Sequence, residues 1–114
     1  MGDAIPKPWG KEQIIDLNDR YCVKHLFIRQ GHRISKQYHE RKRETMLLVS
    51  GSATLTLFDG DSAKDVVLRP GEAHAIEPGT VHRVAGHSSS DAVILEISTP
   101  ELDDVVRLED DYGR

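Results

Sequence analysis

The chain is predicted to be a single all-β domain, and three observations lead there. Its length of 114 residues suits one domain with a working core. Short runs rich in β-branched, aromatic and aliphatic residues are divided by turn signals at Gly31, Ser50-Gly51, Asp59-Gly60-Asp61, Pro70-Gly71, Pro78-Gly79 and Ser88 to Asp91. No βαβ rhythm, internal repeat or low-complexity segment interrupts this pattern.

The elements follow in order. Pro6 and Pro8 around Lys7 remove backbone donors, so Ile5 to Gly10 reads as an extended arm. Trp9 offers more apolar area than a surface position would use, and it docks on the domain or, as an interface residue, on a second subunit. Tyr21 to Gln30 is a strand ending in the turn at Gly31. Further strands are expected at Ser35 to His39, Glu44 to Val49, Ala53 to Phe58, Asp65 to Leu68, Ala73 to Ile76, His82 to Ala85 and Ala92 to Ser98. Alternation of Leu55 and Leu57 with Thr54 and Thr56 gives one buried and one exposed face. After Pro100, the spacing of Leu102, Val105, Val106 and Leu108 among acids predicts a short helical turn lying on the barrel. These readings divide the chain into an arm and first strand over 1–20, a barrel over 21–99 and a C-terminal segment over 100–114 packed on it.

Composition limits the partners. A net charge of −4 gives no global attraction to nucleic acid or anionic membrane. No apolar run approaches the roughly 20 residues needed to cross a bilayer. The single cysteine, Cys22, excludes an internal disulfide and reads as a small buried hydrophobe. With no charged-then-apolar leader over Met1 to Gly10, a reducing cytoplasm is the simplest location.

The chemistry is carried by spacing. Gln37 and His39 are two apart and share a strand face, and Glu44 can return to that face after the turn at Glu40 to Lys42. Beyond Gly71 and Glu77-Pro78-Gly79, His82 opens a later strand and can bring a second imidazole to the same place. Imidazole, carboxylate and amide oxygen form a mixed set suited to one divalent ion, Zn, Mn, Fe or Ni, with positions left open. Gln37 ligates the ion or hydrogen-bonds water bound to it. Strand parity places Arg33 and Ser35 inward with Gln37, and Lys36 and Arg83 outward. His25, His32, His74 and His87 read as structural or solvent-facing, and Glu40-Arg41-Lys42-Arg43 as a solvated turn that could rim a pocket.

The two motif segments, Gly31 to Gly51 and Gly71 to Gly86, resemble the paired motifs of the cupin superfamily, which implies a single-domain jelly-roll β-barrel around one metal ion. Gln37-x-His39-x4-Glu44, Pro8-Trp9-Gly10, His82-Arg83 and the closing run Asp104 to Arg114 further resemble the C-terminal cupin domain of type II mannose-6-phosphate isomerases. That family implies Gln37, His39, Glu44 and His82 as metal ligands and a sugar phosphate or sugar nucleotide as partner. Arg107 matches the arginine of its closing motif and is the implied clamp on the substrate, which Arg33 and Ser35 join as candidates by their inward parity. The implied reaction is aldose–ketose isomerisation, with Arg107 as the catalytic candidate. Where the family carries further histidines and a His-Trp pair, this chain has Glu40, Arg41, Thr45 and Met46, which leaves open a non-catalytic sugar-phosphate binding module. A third alternative is a metal-dependent oxygenase using His39, Glu44 and His82. Free sheet edges imply a homodimer.

Overall fold

Period-two alternation runs through most strands of this chain, so each has one face to bury, and two facing sheets satisfy them together. The computed structural model describes residues 2–87 and 89–113; Met1, Ser88 of the expected turn and Arg114 of the closing run lie outside the described residues. In chain order the strands are β1 (Ile5–Lys7), β2 (Gly10–Leu17), β3 (Cys22–Ile28), β4 (Lys36–Tyr38), β5 (Glu44–Ser50), β6 (Ala53–Asp59), β7 (Ser62–Leu68), β8 (Ala73–Ile76), β9 (Val81–Gly86), β10 (Ala92–Ser98) and β11 (Val106–Glu109). One sheet has the order β1-β2-β3-β10-β5-β8, the other β11-β4-β9-β6-β7, and every pairing is antiparallel. The all-β jelly-roll architecture is therefore present, and no helix among the described residues is long and apolar enough to cross a membrane.

Between the sheets, Leu26, Ile28, Met46, Leu48 and Ile94 of the larger meet Leu55, Leu68 and Val84 of the smaller, all buried. β10 lies inside the larger sheet because Val93, Leu95 and Ile97 make its second face apolar as well. The arm hairpin β1–β2 extends that sheet, and Pro6 is tolerated because β1 is its edge. Trp9 packs into the chain's own core at 4% exposure. It docks on its own domain and is no free interface residue.

The expected helical turn after Pro100 is absent. Val106–Glu109 instead forms β11 against β4, with Val106 opposite Tyr38 and Arg107 opposite Gln37. A helix of so few residues recovers little of its nucleation cost, whereas an edge strand gains ladder bonds immediately. Side chains fasten the segment at both ends. Asp104 accepts the backbone N–H groups of Glu40, Arg41 and Lys42 at 3.0, 2.7 and 2.8 Å. Those amides, Glu40 foremost, hold its carboxyl down to about 2. Asp111 receives both Arg33 (2.7 and 2.9 Å) and Arg83 (3.3 Å), which lower its carboxyl as well, Arg33 most.

Two outcomes follow from these contacts. Gly51 has φ +83°, and a Cβ there would lie 2.0 Å from the Asp91 carbonyl oxygen; Gly51→Ala should destabilise the fold by more than about 2 kcal/mol in urea denaturation. Because the Asp104 and Asp111 carboxyls titrate below their ordinary 3.8, the stability they add is complete above about pH 4 and is lost as the pH falls toward 2. Protection of the β11 amides against exchange should therefore fall below about pH 4 before that of β10.

Candidate metal centre

β4 ends one residue before the first imidazole, and the turn that follows reverses the chain so that β5 begins with the carboxylate. His39, Glu44 and His82 come together in the barrel at 3, 2 and 1% exposure, with one ligand atom from each lying within 4.8 Å of the others. Nε2 of His39 is 3.3 Å and Nε2 of His82 3.1 Å from Glu44 Oε1. The far side of each ring is fixed: His39 Nδ1 donates to the Asp104 carbonyl, and His82 Nδ1 donates to the Thr80 carbonyl at 2.8 Å. A carbonyl only accepts, so both Nδ1 atoms carry protons, and in the neutral rings both Nε2 atoms present lone pairs to Glu44.

Three buried acceptors thus face one another. None of His39 Nε2, His82 Nε2 or the two Glu44 oxygens has a hydrogen-bond partner among the described residues, a costly arrangement unless a cation joins them. The two imidazole–carboxylate separations match the roughly 3.0–3.4 Å edges of a coordination shell with bonds of about 2.1 Å. The donor set, two imidazoles and a carboxylate, fits a divalent transition ion. Burial raises the Glu44 carboxyl, whereas the imidazoles, when protonated on Nε2 as well, and Lys42 lower it well below the carboxylate range; with neutral rings the Lys42 ammonium at 3.3 Å is what favours the anion. Glu44 is therefore an anion ready to bind a cation.

Gln37 faces the same cavity, directly opposite His82 on β9 and Arg107 on β11, and its amide oxygen accepts from Ser35 Oγ at 2.8 Å. Ser35 and Arg107 also line this cavity of about 140 Å³. Arg107 forms no ion pair among the described residues. Arg33 lies elsewhere: its guanidinium is held by Asp111 and does not line the cavity. The chain is irregular at Ile34 and Ser35, so strand parity does not carry through to Arg33, which bridges to outward-facing Ala85. Arg83 does face away from the metal group, and it is buried against the Ile34 carbonyl and Asp111. His25, His32, His74 and His87 are outside the cavity.

Charged residues beyond the motif also line this interior. Lys42, expected in a solvated turn, is 5% exposed and places Nζ 3.3 Å from Glu44 and 3.5 Å from Glu96. Burial works against its charge, but Glu96 and Glu44 raise its pKa and keep it an ammonium. Burial and the Glu44 charge push the Glu96 carboxyl up against the opposing lysines Lys42 and Lys24. The available signal was parity: Lys42 is two residues from Glu44, while Lys24 and Glu96 occupy inward positions among apolar neighbours on β3 and β10.

A family model described as mannose-6-phosphate isomerase C-terminal matches residues 2–110. The chain is 34% identical over 113 residues to the alginate biosynthesis protein AlgA of Pseudomonas aeruginosa, covering 96% of this chain and 23% of that protein. It is 36% identical over 113 residues to mannose-1-phosphate guanylyltransferase of Escherichia coli, with the same coverages of 96% and 23%. The chain thus spans about a quarter of the length of these curated relatives. Among solved structures, the capsular polysaccharide assembling protein CapF of Staphylococcus aureus superposes with a TM-score of 0.83 at 20% identity, over 93% of this chain and 34% of that one. KdgF of Halomonas sp. gives 0.78 at 19% identity, over 90% of this chain and 89% of its own. The fold is shared with both, and by its sequence the chain belongs to the mannose-6-phosphate isomerase C-terminal family of cupin domains.

Proposed function

We propose that this domain holds one divalent metal ion on His39, Glu44 and His82, with Gln37 as the fourth ligand or the partner of a bound water, and isomerises a sugar phosphate between aldose and ketose. The observation that carries this reading is the buried cluster of partnerless acceptors at 3.1 and 3.3 Å beside an open cavity. A bound ion supplies Lewis-acid polarisation of a substrate's carbonyl and hydroxyl oxygens. The remaining work falls to side chains. Arg107, unpaired at the cavity, takes the phosphate through its fork of N–H groups. Lys42, held as a cation by Glu44 and Glu96, donates to oxygens carrying developing negative charge. Glu96, a cavity carboxylate made more basic by burial and the Glu44 charge, is the residue suited to take up and return the proton moved between adjacent carbons.

Glu40, Arg41, Thr45 and Met46 replace histidines and tryptophan of the family pattern, which favours the non-catalytic binding module as a second reading. Of these four, Met46 alone lines the cavity, and its thioether adds no polar group there. Thr45 is paired with Ala75 on the outer face of its sheet, while Glu40 and Arg41 are exposed. The isomerase reading therefore does not depend on them.

Pairing of two copies belongs to the same proposal. The outer face of the larger sheet carries Val23, Phe27, Leu47, Val93, Leu95 and Ile97 in register across three strands. These six carry no charge, with His25 opposite Leu95 and the Lys11 ammonium over Phe27 at their border, so a two-fold axis near Leu95 would set the apolar residues against their copies and leave Lys11 at the margin.

Mannose 6-phosphate incubated with the protein and added Mn, Zn, Fe or Ni should yield fructose 6-phosphate. Binding without turnover for every metal would leave the binding module, and oxygen uptake with iron would instead indicate an oxygenase. His82→Ala should weaken metal binding by more than the 10–100-fold typical of outer partners, and unchanged occupancy would remove His82 from the ligand set. Leu95→Lys should convert a sedimenting dimer to monomer; wild-type protein sedimenting as a monomer would refute the pairing.

A further inference from the structure

The cavity has a second wall, opposite Arg107, that the metal chemistry leaves without a role. Lys7 of β1, Trp9 of the turn after it, Glu12 of β2 and Lys24 of β3 form it, and Glu96 of β10 stands directly across from Lys24. Lys24 is 9% and Trp9 4% exposed. Acid and base alternate along this wall: Lys7 Nζ lies 4.0 Å from Glu12, Lys24 Nζ lies 3.5 Å from Glu12, and Lys24 then faces Glu96.

We propose that this wall is a carbohydrate-hydroxyl site, at which Trp9, Lys7, Glu12 and Lys24 hold the polyhydroxylated body of the ligand whose carbonyl end meets His39, Glu44 and His82. The inference rests on the sugar-phosphate reading for the ligand's class, and it adds where and by what groups the sugar body is recognised.

Buried ion pairs return their desolvation cost only with close geometry and full hydrogen bonding. These pairs have neither. At 3.5 and 4.0 Å both are longer than the about 2.8 Å of a closed charge-assisted bond. An ammonium carries three donors, and Lys24 spends one within the chain, on Glu12, while Lys7 completes no hydrogen bond among the described residues. A hydroxyl both donates and accepts, so a row of hydroxyls matches alternating ammonium and carboxylate groups better than an anion does. The charge balance agrees: Lys7 and Lys24 are offset by Glu12 and Glu96, and two carboxylates disfavour a phosphate. Arg107, on the other sheet and with no acid paired to it, is left to take that group.

Trp9 is the independent observation. Its indole Nε1 is buried with no hydrogen-bond partner in a residue that lines the cavity, and a buried indole N–H ordinarily finds an acceptor. An aromatic body beside paired donors and acceptors suits the mixed apolar and hydroxylated faces of a sugar.

Trp9 is also the one tryptophan in the sequence, so its emission reports on this wall directly. The full chain loaded with Mn²⁺ would be titrated with mannose 6-phosphate, with the neutral polyol mannitol and with inorganic phosphate. Both hydroxylated probes should shift Trp9 emission saturably, and inorganic phosphate should not. Lys24→Met and Glu12→Gln should each weaken binding of mannose 6-phosphate about 10-fold or more, the loss expected for a hydrogen bond to a charged group, with Mn²⁺ affinity unchanged. The inference is overturned if neither hydroxylated probe moves the emission, if inorganic phosphate moves it equally, or if both variants bind as the wild type does. The wild-type probe series decides the matter alone if a variant fails to fold. Mannitol binding without isomerisation of mannose 6-phosphate would uphold this wall and remove the isomerase; isomerisation with an indifferent wall would do the reverse.

Discussion

Everything in this barrel is arranged around a carboxylate that has been taken out of water and pointed at two imidazole lone pairs. Glu44 lies at the first position of β5, where strand alternation turns its side chain inward, and the ring nitrogens of His39 and His82 approach one of its oxygens. Desolvating that charge costs several kcal/mol. Lys42 meets part of the demand at 3.3 Å, and the unmet remainder is what makes the cluster a candidate cation site. Without inward convergence of all three groups, the remaining structure is a β-sandwich with a polar interior and no chemistry.

That convergence depends on a segment far away in sequence. The backbone carbonyl of Asp104 takes the Nδ1 proton of His39, while its carboxylate binds three consecutive amides of the turn joining β4 to β5. One residue therefore sets both the tautomer of a candidate ligand and the path that carries the chain from His39 to Glu44. β11 then continues from this anchor and brings Arg107 beside Gln37. Replacing the strand by a helical turn would have detached the arginine from the cavity, so the local choice of β over α has a functional consequence.

The interior also divides by chemistry. The smaller sheet provides Gln37, His82 and Arg107, and the larger provides Lys24, Glu44 and Glu96. Jelly-roll closure places these two polar sets face to face at one end of the core while Leu48, Leu55 and Ile94 pack behind them. Burial there raises Glu96 and the dense surrounding charge lowers Glu44, so two carboxyls of the same sheet are shifted in opposite directions. In the proposed reaction this asymmetry would let one acid hold the metal and the other carry the proton.

By itself the sequence determined the strand alternation, the turns and the inward parity of Gln37, His39, Glu44 and His82, because each follows from period-two geometry and glycine or proline chemistry over a few residues. It also carried the family likeness. Tertiary structure decided the rest, for reasons that act over long separations. β11 formed because β4 had an open edge, not because of the 102–108 spacing. Lys42 went inside because Glu44 and Glu96, remote from one another in sequence, jointly stabilise its ammonium. Arg33 turned away because the irregular stretch at 34–35 breaks strand parity and Asp111 captures the guanidinium. Trp9 was drawn into its own core because the arm hairpin adds to the larger sheet beside β3. Local rules set which face a residue presents within its strand; which charges meet across the barrel was settled by closure of the two sheets.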